Sequence, residues 1–461
     1  MEYKRTNGYK DIDKKEMTDV QNFCNDYKKF LNASKTEREA VATFEKMAIE
    51  NGYKNAEDMD MIKPGDKVFY NNRGKNLVLF IAGKDDIEKG VNFVVSHIDS
   101  PRLDLKQSPL YEDEELALLK THYYGGIKKY QWGSIPLALH GVVFLKDGKK
   151  VELTIGESDE DPIFVIGDLL PHLSHKVQDD RKSRETLRGE ELRLIIGSVP
   201  TKTKDDKNGV KMAVLEKLNS EYGIEEEDFL TAELEVVPAW KARDVGFDRG
   251  LVASYGQDDR VCAYTSVRAL FEIKKAPKKT QCVFLTDKEE IGSNGATGLQ
   301  GQYLEYCMTD FIYKLNGGFN QVAYQRCMWN SKALSSDVDA AVHPVFKEVH
   351  DLQNAAKLSY GLTLVKFTGS GGKGGSNDAD AEYFSELRRV FNKHDIKWQV
   401  SELGKVDEGG GGTIAKFLAQ RGVKTIDAGV GVIGMHSPFE ITSKYDVYMA
   451  YKAYVVFLEN C

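Results

Sequence analysis

"QCVFLTDKEEIGSNGATG", Gln281 to Gly298, carries an apolar run into two adjacent glutamates and then into a glycine-rich turn. Val283, Phe284 and Leu285 are β-branched or bulky, and the charged segment before them marks a boundary, so the run reads as a short strand. In an open α/β sheet, ligands gather outside the carboxyl ends of the strands. Two carboxylates side by side at such an end therefore call for a chemical reason.

Three more apolar runs end in the same way. "VNFVVSHID" delivers His97 and Asp99, "ALSSDVD" delivers Asp337, and "VGVIGMH" delivers His436, while Asp258 sits in "GQDDR" ahead of a helical pattern. If these groups converge, Asp258, Glu290 and Asp337 oppose the four positive charges of two zinc ions with three negative ones, and a bridging hydroxide would neutralise the remainder. His97 and His436 complete the set as neutral imidazoles. Mixed nitrogen and oxygen donors favour zinc, with manganese or cobalt as alternatives, over magnesium or calcium, which prefer oxygen throughout.

The paired glutamates then divide the work. Glu290 is expected to bind metal, and Glu289 to face the attacking water as general base. Asp99, two residues beyond His97, is expected to accept the other ring N–H of that histidine and fix its tautomer. Each motif alone has a blander reading, as a capping pair, a solvated helix start or an N-cap with a charged neighbour. Their joint occurrence at strand ends favours the metal site.

Around these residues the chain alternates in texture. Apolar residues recur at helical spacing from about Thr18 to Asn51 and predict two amphipathic helices. Strand-like runs follow, up to His97. Roughly Leu105 to Val237 is strand-rich and reads as a separate inserted domain, between a first catalytic part (1–104) and a second (238–461). After it, strands and helices alternate, which predicts an α/β sheet covered by helices. The length of 461 residues suits two such bodies. The segments "TGSGGKGGSNDADAEY" and "DEGGGGTIAKF" do not fit a phosphate-binding loop, because Gly374 follows Lys373, and read as loops entering helices.

Lys and Arg number 63 against 71 Asp and Glu, a formal net charge of -8, which argues against a nucleic-acid or acidic-membrane surface. The six cysteines are scattered without a C-x-x-C pair and read as reduced thiols. The charged start "MEYKRTNGYKDIDKKEM" lacks the apolar core of a signal peptide, and no run is long enough to span a bilayer, so the expected compartment is the cytoplasm.

The stretches "SHIDSPRLDLKQSPLYE", "YGGIKKYQWGSIPLALHG", "DLLPHLSHK", "GQDDRVCAYTS", "TDKEEIGSNGATG", "SSDVDAAVHP", "GSNDADAEY" and "GMHSPFEITSKYDVYMAYKAYVVFLEN" resemble the aspartyl aminopeptidase and vacuolar aminopeptidase I family of dinuclear zinc exopeptidases. The matches follow the family's order along nearly the whole chain. The resemblance implies a zinc-peptidase α/β fold, its mixed sheet covered by helices and interrupted by a β-rich dimerisation and lid domain. It implies His97, Glu290, Asp337 and His436 as ligands, Asp258 bridging both metals, and Glu289 as base. It further implies a homo-oligomer, a dodecamer built from dimers, acting on peptides with a free amino terminus. Relatives carry a histidine in the inserted domain that reaches a neighbouring active site; "PHLSHK" is one residue shorter before its second histidine, and His175 is the expected counterpart, with His172 as fallback. Lys373 lies where acid-preferring relatives place a cation, so the expected first residue is acidic or neutral. Two rival readings are a zinc amide hydrolase acting on acylated amino acids and a catalytically silent assembly protein of the same fold.

Overall fold

The computed structural model describes residues 2, 4–202 and 207–461, and its contacts divide the chain into two compact units. The first comprises residues 1–99, 242–435 and 439–461; the second comprises 100–241 with 436–438. The second unit's first strand, Arg102–Asp113, begins three residues before the position expected from composition. Its sequence, "RLDLKQSPLYED", mixes charge into the strand and so hides the start.

In the first unit the apolar runs become a nine-stranded sheet ordered Lys54–Asn55, Lys67–Asn72, Asn76–Ile81, Thr280–Thr286, Val91–His97, Lys332–Ser335, Lys424–Gly429, Leu362–Val365, Trp398–Val400. Four central strands, from Thr280–Thr286 to Lys424–Gly429, run parallel. Successive side chains on a strand point to opposite faces, and here both faces are covered. Val94, Val283 and Leu285 pack with Phe30, Phe44, Val261 and Tyr454 on one side. Phe93, Val95 and Phe284 pack with Phe311 and Met328 on the other. Continuous apolar runs, rather than alternating ones, follow from this double burial.

Helices Lys14–Ala33 and Glu37–Glu50 match the predicted amphipathic pair. The second opens with a capping box in which Thr36 and Glu39 each satisfy the other's backbone N–H. A smaller five-stranded sheet in the same unit joins Arg243–Val245, Leu251–Ser254, Glu440–Ser443, Gly431–Ile433 and Asp339–Ala340. The two glycine-rich segments pair with each other, Gly369–Ser370 against Gly410–Gly411.

The second unit is built on a seven-stranded antiparallel sheet, ordered Lys150–Ile155, Leu137–Phe144, Glu233–Pro238, Arg102–Asp113, Leu116–Tyr124, Arg193–Gly197, Val165–Ile166. It also carries the helix Gly209–Tyr222, which the strand-rich reading left out. The six cysteines are free thiols. No helix among the described residues is long and apolar enough to cross a membrane.

Candidate metal centre

Register sets the site. Thr286 pairs with His97 and Ser335 with Val95, so three parallel strands stop at nearly the same level. His97 ends its strand, Glu289 and Glu290 follow the second within a single 3-10 turn, and Asp337 follows the third by two residues. Asp258 stands in the first turn of the helix Gln257–Glu272, with backbone angles that are not helical, and is joined to Asp259 by a cis peptide bond.

One ligand atom from each of His97, Asp258 and Asp337 lies within 4.8 Å of the others, and the same holds for His97, Glu289 and Glu290. His97 Nε2 is 3.1 Å from Asp258 Oδ1 and 3.7 Å from Asp337 Oδ1. Its Nδ1 is 3.0 Å from the Asp99 carbonyl, which can only accept, so Nδ1 carries the proton and Nε2 is the nitrogen a cation would take. The sequence predicted the Asp99 carboxylate as that acceptor; it lies slightly farther, at 3.3 Å.

The Asp99 carboxylate has a second task that spacing did not reveal. It is fully buried and accepts the backbone N–H groups of Glu289 at 3.1 Å and Glu290 at 3.2 Å. One buried anion thus ties the histidine to the glutamate pair. The turn is braced from behind by Asp287, which accepts from Lys288 N, Lys288 Nζ and Thr297 Oγ1. Because the two Asp99 bonds run from backbone N–H groups, the pattern of residue types along the chain gives no sign of them.

The electrostatics are those of crowded carboxylates. Burial, reinforced by Asp337, Asp99 and Asp258 against the pull of His97, pushes the Glu289 carboxyl up to about 8. Burial raises Asp337, with His97 opposing and Asp258 adding to the rise. Asp259, not expected to take part, is buried beside them and held well above the usual carboxylate range by burial and by Asp337. For His97, burial alone would lower the ring, but hydrogen bonds to Asp258, Asp337 and Asp99 outweigh it and hold the imidazole well above its ordinary value. Carboxylates that raise one another in this way, around an imidazole with Nε2 turned inward, fit divalent cations, and the mixed donor set fits zinc.

His436 lies in the segment 436–438 of the second unit, in left-handed backbone, with Nδ1 2.9 Å from the Gly126 carbonyl. By the tautomer argument used for His97, its Nδ1 carries the proton and its Nε2 the lone pair. His172 lies in the short helix Pro171–Ser174 and His175 caps it, both exposed. Lys373 is engaged inside its own loop: Nζ is 2.9 Å from Asp378 Oδ2 and 3.9 Å from the centre of the Phe367 ring.

The family model described as "Aminopeptidase I zinc metalloprotease (M18)" matches residues 30–458. A curated relative from Borreliella afzelii, a probable M18 family aminopeptidase 1, is 52% identical over 458 residues, covering 99% of this chain and 100% of its own. The crystal structure of an M18 family aminopeptidase from Thermotoga maritima superposes with a TM-score of 0.95 at 47% identity, covering 100% of both chains. The fold is also similar, at a TM-score of 0.76 and 22% identity, to that of the S. cerevisiae mApe1 dodecamer, over 96% of each chain.

Proposed function

The chain belongs to the M18 family of zinc metallo-aminopeptidases, and from that premise we propose how its residues divide the chemistry. Two zinc ions would be held by His97, Asp258, Glu290, Asp337 and His436, with Asp258 serving both, and manganese or cobalt would be the alternatives. The chemistry such cations would supply is a more acidic water and a polarised scissile carbonyl. Glu289 takes the proton of the attacking water and returns it to the leaving amine. Asp99 keeps Glu289 and Glu290 in register with His97. The acidic cluster also anchors a free α-amine, so the substrate is the amino terminus of a peptide. What carries this reading is the approach of His97 to Asp258 and Asp337, and of His97 to Glu289 and Glu290, with the ligand atoms of each group within 4.8 Å of one another.

The first residue removed is acidic or neutral. An acidic one would be met by Lys373 exchanging Asp378 for the substrate carboxylate. The working particle is a homo-oligomer, a dodecamer built from dimers, in which His175 of one copy reaches the site of another. Its support is the exposure of Leu169, Leu170, Leu173 and Val177 around the two histidines, an apolar group rarely left in water by a monomer.

A panel of aminoacyl-fluorophores, assayed with chelator and then with zinc, cobalt or manganese restored, tests the reaction. Turnover should vanish with chelator, return with metal, and be absent for acetylated dipeptides. Glu289→Gln should lose about 10²–10⁴-fold in kcat while keeping its zinc. A variant that retains wild-type turnover refutes the assignment of the base.

A further inference from the structure

We infer that Glu440 is a positioning residue for the metal centre, an acceptor brought from a distant strand to cap the helix on which Asp258 stands. The inference rests on the proposed role of Asp258 as a shared ligand.

The first N–H groups of any helix have no acceptor within it. The helix Gln257–Glu272 begins after Gly256, which has no side chain to cap it, and the dihedral angles at Asp258 (φ -81°, ψ 107°) and Asp259 (φ -117°, ψ 32°) leave the regular pattern. The Asp258 N–H instead donates to Glu440 Oε2 at 3.0 Å, across 182 residues of sequence. Glu440 is 1% exposed and pairs in register with Ser254, two residues before Gly256.

The clamp is reciprocal. Gln257 Nε2 donates to the Glu440 carbonyl at 2.7 Å and to the Val252 carbonyl at 3.3 Å, while Gln257 Oε1 accepts from the Tyr27 hydroxyl. Each end of the Gln257–Asp258 pair is thereby fixed to the strand Glu440–Ser443. A carboxylate at a helix N-terminus also meets the positive end of the helix dipole, and a bond from N–H to a charged oxygen is stronger than one between neutral partners. Placing a carboxylate in so buried a position is unfavourable without such partners. Its effect is to fix the main chain from which the Asp258 carboxylate is aimed, so its removal acts on the cations rather than on stability alone.

Zinc affinity of the purified full chain, measured by chelator competition, tests this, together with the visible spectrum of the cobalt-loaded protein and the melting temperature of the metal-free form. Glu440→Ala should bind zinc about 10–100-fold more weakly and alter the cobalt spectrum. Glu440→Gln, which keeps an acceptor oxygen at the same reach, should recover most of both. Wild-type affinity and spectrum in Glu440→Ala, with a lowered melting temperature alone, overturn the inference. If Glu440→Ala does not fold, Glu440→Asp takes its place: weaker zinc than Glu440→Gln supports the geometric role, and equal zinc overturns it. Asp258→Asn separates the two levels. Unchanged zinc there removes the ligand role of Asp258 itself, whereas weakened zinc there beside unchanged zinc in Glu440→Ala removes only the role of Glu440.

Discussion

Glu289 and His97 define the residue scale, because each is held away from the protonation state that metal catalysis uses. Without cations, Glu289 keeps its proton up to about 8 and His97 remains charged among Asp258, Asp337 and Asp99. Zinc needs the lone pair on His97 Nε2 and unprotonated carboxylates, so loading must expel protons. Lower pH adds protons that compete with the metal; higher pH removes them. The apparent zinc affinity should therefore rise between about pH 6 and pH 8, with proton release seen by calorimetry in two buffers of different ionisation heat. Affinity independent of pH, without proton release, would contradict the ligand set. His97, Glu289, Glu290 and Asp337 were legible in the sequence because each closes an apolar run. Asp99 was half legible: its spacing from His97 pointed to the ring, but not to the two backbone N–H groups it also accepts. Glu440 was not legible at all, since its partner is an N–H remote in sequence.

At the scale of elements, the site is a product of strand register and tight approach. Lys424–Gly429 lies parallel to Lys332–Ser335, and at its last residue the two chains come so close that a Cβ added to Gly429 would overlap the Asp337 carbonyl. That carbonyl is backbone and has little room to give. Gly429→Ala should shift Asp337, lower stability by about 1–3 kcal/mol and weaken zinc about tenfold or more. Thermal melting and chelator competition check it; a variant with lowered stability and wild-type zinc affinity would show that Asp337 does not depend on this contact. The central strands could be read from their unbroken apolar runs. The strand Arg102–Asp113 begins amid charge, and the helix Gly209–Tyr222 buries little beyond Gly209 and Val210, so neither left a clear periodic signal.

For the whole molecule, the α/β architecture and the membership in the M18 family set the frame, and assembly is the property that a single chain expresses least. The proposed contact surface includes Leu170 and Leu173, exposed at 51% and 57% beside His172 and His175. Leu173→Glu should reduce the particle mass measured by light scattering and lower turnover if His175 acts in a neighbouring site. A mass unchanged from wild type would remove this segment from the interface. The apolar residues of "DLLPHLSHK" were legible as a run, but a short exposed helix cannot be told from a buried one by composition.

Diffraction at the zinc absorption edge would show whether these far-separated side chains meet around two cations. Crystals grown with zinc should give two anomalous peaks about 3.5–4 Å apart, in contact with His97 Nε2, Asp258, Glu290, Asp337 and His436, with the Glu289 carboxylate facing the space between them. A single peak, or peaks ligated by other residues, would contradict it.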